Sequence, residues 1–228
     1  MSKEPGCKIV LLGDGGVGKT CIISRYTSGT YDSGSAATNG ASFCSKSVKF
    51  DELGKSLLLD IWDTAGQERY RALTKFFYKD AAVCILVYDI TKKKTFENIK
   101  DYWYGQLKEN ASKNIVIGIA GNKCDLYEEE DVSENEAREF AEQIGAVFEL
   151  TSAQNNTGIN ELFLNCGYKF LDPSFTPKAN PAPSPVEKPQ TIEKKEEENI
   201  ETKKEEKNKI VLEKKEFKKE QKKKKSIC

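Results

Sequence analysis

The chain has 228 residues, with 36 Lys and Arg balancing 36 Asp and Glu, and it contains no histidine. That absence excludes a Ser-His-Asp or Cys-His nucleophilic centre, a His-held metal and a histidine pH switch. Seven scattered cysteines with no C-x-x-C pair argue against a disulfide framework or a zinc ribbon. With a polar first stretch, and no apolar run near the roughly 20 residues a bilayer needs, the composition predicts a soluble intracellular protein.

The neutral total conceals two opposed parts. Residues 1–172 hold 20 basic and 25 acidic side chains, a net of −5, and are predicted to fold as one domain. Residues 173–228 hold 16 Lys, 11 Glu and six of the seven prolines, a net of +5. Such a segment has too little apolar surface to offset its ordering entropy, so it reads as a disordered tail with a Pro-rich start.

In chain order, the first predicted strand is 7–12. Directly after it stands Gly13-Asp14-Gly15-Gly16-Val17-Gly18-Lys19-Thr20, which opens a predicted helix at 18–28. This is the phosphate-loop pattern in its required strand-to-helix context. Glycines let backbone N–H groups wrap an anion, the helix start adds a favourable dipole, Lys19 adds charge, and the Thr20 hydroxyl can ligate Mg²⁺. The loop calls for a nucleoside triphosphate and is silent on which base.

Strands at 43–50 and 56–62 follow, joined by a turn at 51–54 and predicted to pair antiparallel at the sheet edge. The second ends in Asp63-Thr64-Ala65-Gly66-Gln67. A carboxylate there can hold the hydration shell of Mg²⁺, the Gly66 N–H can meet a γ-phosphate, and Gln67 can orient an attacking water. A short helix is predicted near 73–79, then a wholly apolar strand at 82–88, as a central parallel strand should be. A helix at 95–110 leads to a strand at 115–120, after which comes Asn122-Lys123-Cys124-Asp125. Guanine offers N1–H and the N2 amine side by side to one carboxylate, whereas adenine would face Asp125 with a lone pair. A carboxylate left unpaired discriminates strongly. Asp125 is therefore predicted to read guanine, with Asn122 and Lys123 holding the loop and covering the ring. A helix at 133–144 starts on a capping box, Ser133 with Glu136. The last strand, 146–150, ends in Thr151-Ser152-Ala153, where a base edge needs backbone donors, and a helix at 159–171 closes the domain. Strands alternating with helices predict a three-layer α/β domain whose mostly parallel sheet binds its ligand at the strands' carboxyl ends.

Together these motifs resemble the Rab branch of the Ras-superfamily small GTPases over about residues 6–171. The run Ile61-Trp62-Asp63-Thr64-Ala65-Gly66-Gln67-Glu68-Arg69-Tyr70 carries the likeness furthest, and Phe77-Tyr78-Lys79-Asp80-Ala81 resembles the family's Y-Y-R-G-A. The resemblance implies a six-stranded P-loop GTPase domain that binds GTP or GDP with Mg²⁺ and acts as a switch in vesicle trafficking. It implies that Tyr31 stacks on the base and that Thr38 touches Mg²⁺ and the γ-phosphate. Gln67, Lys19 and Thr38 would then be catalytic, and Thr20, Thr38 and Asp63 would be the metal set. It extends the nucleotide contacts to Cys21, Leu126 and Gln154, and it makes Phe43, Trp62 and Phe77 the effector surface. An exchange factor, a GTPase-activating protein, a GDP-dissociation inhibitor and effectors are the implied partners of a monomer on the cytoplasmic face of endomembranes, endosomal by leaning. Two departures stand out: Asn39 introduces a polar group in switch I, and Gln154 replaces the usual lysine of the last guanine motif.

Rab proteins are anchored through prenylated C-terminal cysteines, and this chain ends on the single Cys228 without a C-a-a-X box. One lipid holds marginally. Residues 214–225, with eight Lys and two Glu, are predicted to add attraction to an anionic membrane. Interleaved Glu and missing aromatics argue against nucleic acid. Two rival readings stay open on the residues: a metabolic ATPase or kinase, and a nucleotide-bound scaffold that does not hydrolyse.

Overall fold

Alternation along the first strand sets the plan of the domain. In β1 (Gly6–Leu12), Ile9 and Leu11 join one buried cluster while Val10 and Leu12 join another, as a period of two requires. The computed structural model describes residues 5–34, 38, 40–66 and 76–177. Its six-stranded sheet has the order β2-β3-β1-β4-β5-β6, with β2 (Ala41–Phe50), β3 (Lys55–Thr64), β4 (Val83–Asp89), β5 (Val116–Asn122) and β6 (Val147–Thr151). β2 and β3 pair antiparallel through the turn at Asp51–Leu53, and every other neighbour is parallel. The predicted architecture, including the antiparallel edge, is the observed one.

One face is covered by α1 (Lys19–Ser28) and α5 (Ile159–Leu171), where Tyr26 stacks on Phe163 with centroids 3.9 Å apart. The other face is covered by α2 (Lys93–Asn98), α3 (Tyr104–Asn110) and α4 (Glu134–Gln143). β4 is buried along its whole length, which accounts for its unbroken apolar run. Because β3 and β4 flank β1 on opposite sides, the chain reverses direction across the sheet there, and a crevice opens above the ends of β1 and β4.

Two local expectations need correction. The helix predicted at 95–110 starts at Lys93 and is broken by a π-helical turn over Ile99–Trp103. The capping box at α4 is one-sided. Ser133 Oγ accepts from the Glu136 N–H at 3.2 Å, but Glu136 Oε1 takes Lys100 Nζ from the neighbouring helix at 3.0 Å. Of the short helix predicted near 73–79, residues 76–78 are helical, 79–80 form a turn, and 73–75 lie outside the described residues.

Cys7, Cys84 and Cys166 are buried, and burial pushes their thiols up, Cys7 to about 12, so they behave as small hydrophobes. Among the described residues no helix is long and apolar enough to cross a membrane. The tail from residue 178, with Cys228 and the basic stretch at 214–225, lies outside the described residues.

Candidate functional site

The loop between β1 and α1 is built for close approach. Gly18, at φ +97°, caps α1 without any side-chain hydrogen bond, so the helix start is left to other partners. A Cβ on Gly18 would run into Asn122 Nδ2, and only glycine fits. Gly13, Val17 and Lys19 are buried, while Gly15 and Gly16 face solvent at the crevice rim.

Lys19 is 5 % exposed, and its Nζ donates to Gly13 O and Asp14 O, both at 2.8 Å. Burial pushes its pKa down to about 8, opposed by Asp63 and Asp14 nearby. A cation held in this state gains from an anion placed against it. A Cβ on Gly66 would strike Asp14 O and Lys19 Nζ, which leaves the Gly66 backbone against the same spot.

Beside Lys19, three oxygen-bearing side chains from three elements converge. Thr20 Oγ1 lies 2.7 Å from Thr38 Oγ1 and donates to Asp63 Oδ2 at 2.7 Å. Asp63 is 2 % exposed, and its Oδ1 is buried with no hydrogen-bond partner. Burial raises its pKa, opposed by Thr20 and Lys19. A carboxylate and two hydroxyls, with one buried carboxylate oxygen uncompensated, is a hard oxygen set that fits Mg²⁺. Thr64 Oγ1 donates to Leu11 O at 2.6 Å and Ala65 N–H to Gly40 O at 2.9 Å, tying the end of β3 to β1 and to the loop before β2.

The opposite end of the crevice is held by side chains of the loop after β5. Asn122 Nδ2 donates to Val17 O at 2.7 Å, its Oδ1 accepts from Thr151 Oγ1 at 3.2 Å, and its carbonyl takes Ile90 N–H at 3.1 Å. One residue thus joins the phosphate loop, β4 and β6. Asp125 Oδ1 accepts from the buried Ser152 Oγ at 2.5 Å, and that hydroxyl also accepts from Asn155 N–H at 3.0 Å. Ser152 therefore orients the carboxylate expected to read the base. Leu126 and Tyr31 are each a little over one-third exposed, and Cys21 Sγ lies 3.9 Å from Asp32 O.

Two residues of this framework escaped the sequence reading. Asp89, at the end of β4, is 1 % exposed. Its Oδ1 takes the Thr91 N–H and hydroxyl, and its Oδ2, with no aligned hydrogen-bond donor, is compensated by the Lys123 ammonium at 2.6 Å. Lys123 adopts φ +68° there. The signal was a carboxylate closing an otherwise apolar strand. Arg25 is the other: Nε donates to Ala153 O at 2.7 Å and Nη2 to Gln154 O at 3.1 Å, while its guanidinium sits 5.8 Å from the Tyr31 ring. Position 154 thus contributes its backbone carbonyl to the loop's anchoring, which glutamine supplies as well as lysine.

On the outer edge, Phe43 and Trp62 are directly opposed in the β2–β3 register, with centroids 5.1 Å apart, and Phe77 lies 5.8 Å from Trp62. Phe43 is 54 % exposed, so the three rings form one accessible aromatic strip. Gln67, Asn39 and Cys228 lie outside the described residues.

A strand–glycine loop–helix anion cradle, an adjoining oxygen set and an Asn-Lys-x-Asp loop at one topological switch point define a phosphate-loop nucleotide-binding domain. The Ras family model matches residues 8–172, and the chain belongs to that family, in its Rab branch of small GTPases. It is 48 % identical to Ras-related protein Rab-22A of Homo sapiens over 158 residues, 69 % of this chain and 79 % of the relative. It is 47 % identical to Ras-related protein Rab-31 of Mus musculus over 157 residues, 68 % and 78 % of the two chains. Ras-related protein YPTC6 of Chlamydomonas reinhardtii is 45 % identical over 156 residues, 68 % and 71 %.

Proposed function

We propose that the chain binds GTP with Mg²⁺, recruits effectors in that state, and hydrolyses GTP to GDP to end the signal in membrane trafficking. The observation that carries this reading is the convergence of Thr20, Thr38 and Asp63 beside the buried Lys19 ammonium, with Asp125 and Ser152 at the far end of the same crevice.

Lys19 and the loop amides bind the β- and γ-phosphates, and Gly66 N–H meets the γ-phosphate. Thr20, Thr38 and Asp63 are the residues that would hold Mg²⁺, which would supply neutralising charge to the phosphate oxygens. Gln67 orients the attacking water. Asp125 accepts guanine N1–H and N2–H, Tyr31 stacks on the ring, and the backbone of 151–154 faces the base edge. Catalysis is positioning and charge stabilisation. No motif supplies a built-in arginine finger, so unaided turnover is slow, and an activating protein accelerates it by on the order of 10³–10⁵. Loss of the γ-phosphate releases the loops bearing Thr38 and Gly66, and with them the Phe43–Trp62–Phe77 strip that effectors read.

Residues 1–172 are the switch and 173–228 the membrane-seeking tail in this reading. Cys228 is the lipid site, supported by the Lys-rich stretch before it, on endosomal membranes. The exchange factor, activating protein and GDP-dissociation inhibitor act on the switch domain.

Retention of labelled GTP by the purified full chain, in competition with GDP and ATP, tests the reading. GDP should displace the label, excess ATP should not, and chelating Mg²⁺ should speed release. Equal displacement by ATP would instead favour a metabolic ATPase or kinase.

A further inference from the structure

Asp14 places a carboxylate inside a loop whose business is binding phosphate, a like-charge arrangement that costs affinity unless the carboxylate is held away. It is held from across the sheet. Asn98 Nδ2 donates to Asp14 Oδ2 at 2.5 Å, and Trp103 Nε1 donates to Asp14 Oδ1 at 3.2 Å. Meanwhile the Asp14 carbonyl accepts the Lys19 ammonium at 2.8 Å. One residue therefore carries the ammonium's seat on its backbone and a tether to the neighbouring helix on its side chain.

The tether depends on the break in that helix. Asn98 and Trp103 are five positions apart, and in a regular α-helix they would point roughly 140° away from each other. The π-helical turn over Ile99–Trp103 widens the helix so that both donors reach one carboxylate. Trp103 is 1 % exposed and packs edge-on against Tyr102 at 5.0 Å, so its N–H is fixed in direction. Both partners donate here, and a carboxylate accepts twice, whereas an amide at position 14 accepts with one atom alone and pairs with Asn98 only if that side chain turns over.

We propose that Asn98 and Trp103 are positioning residues for the phosphate site: they draw the Asp14 carboxylate off the anion and fix the carbonyls that seat Lys19. In this way they set the lifetime of the bound nucleoside diphosphate. The inference rests on reading the crevice as a guanine nucleotide site.

The test is release of N-methylanthraniloyl-GDP from the full chain into excess GDP, with thermal midpoints recorded alongside. Asn98→Leu removes one donor without adding charge, and release should speed up on the order of tenfold, as expected for losing a hydrogen bond to a charged group. Asn98→Asp sets carboxylate against carboxylate and should do likewise. In the combined Asp14→Asn, Asn98→Asp chain the introduced amide donates to the introduced carboxylate and still accepts from Trp103, so release should slow back toward the wild-type rate. Trp103→Phe removes the indole donor together with part of a buried ring, so its smaller acceleration is read beside its lowered thermal midpoint. Single variants that are folded yet release at the wild-type rate would overturn the tether alone. So would a combined chain that releases as fast as Asn98→Asp alone. A wild-type chain that does not retain the probe would overturn the nucleotide reading and the tether with it.

Discussion

Lys19 sits where its own burial works against its charge, and the two carbonyls that hold it offer only partial compensation. Its pKa in the free fold, about 8 against an ordinary 10.5, means that this group stabilises the free fold above the higher value and that the contribution is lost as pH falls through about 8. Phosphate oxygens favour the ammonium, so binding must take up a proton where the free chain has lost it. Calorimetric titration of nucleotide-free protein with GDP, in buffers of different ionisation heat, should find uptake approaching one proton near about pH 9 and almost none near about pH 7. Absence of uptake at the higher pH would mean that Lys19 does not meet the phosphates. Asp125 makes a second residue-scale prediction. Asp125→Asn replaces the double acceptor by an amide, which should weaken GTP binding and shift preference to xanthine nucleotides, which present an acceptor where guanine has its N2 amine. An unchanged preference for guanine would remove Asp125 as the reader. The placement of Lys19 and Asp125 at strand ends was legible because motif residues carry their chemistry in their type and spacing. Asp89 and Arg25 were not, since their partners, Lys123 and the carbonyls of 153–154, come from distant segments.

The elements were read well where apolar period and length agreed, as in the all-buried β4 and the antiparallel β2–β3 pair. The helix after β4 shows where such reading stops. Phe96, Ile99, Trp103 and Leu107 recur at spacings of three and four, which is the signature of an ordinary amphipathic helix. Nothing in that pattern reports a π-turn, and the carboxylate that the turn lets Asn98 and Trp103 share, that of Asp14, lies some 84 positions from Asn98. The capping box is half made, because Glu136 Oε1 takes Lys100 from the neighbouring helix while Ser133 Oγ still accepts the Glu136 N–H. The remaining half still counts. Ser133→Ala should cost about 1 kcal/mol of unfolding free energy, measured by denaturant titration, with nucleotide affinity unchanged. A loss well under about half of that would mean the exposed Ser133–Glu136 bond adds nothing in water.

At the scale of the molecule, the sequence already showed a divided charge, −5 over residues 1–172 and +5 over 173–228, inside a neutral total. It also placed the phosphate loop, the Asp63 cluster and the 122–125 loop at strand ends. What it could not supply was the order β2-β3-β1-β4-β5-β6, which turns three separate strand ends into the walls of one crevice. That topology brings Thr20, Thr38 and Asp63 together beside Lys19 and lets Asn122 bridge three elements. The aromatic strip of Phe43, Trp62 and Phe77 lies along the edge next to the loops that would sense the γ-phosphate. A crevice and a strip so linked make a switch only if the bound triphosphate is consumed. The most direct measurement is therefore single-turnover hydrolysis of GTP by the purified chain with Mg²⁺, run beside Gln67→Leu. The account predicts slow guanine-specific turnover in the wild type, and tight binding with turnover abolished in the variant. Tight binding without turnover in the wild type, or a variant that hydrolyses at the wild-type rate, would contradict it.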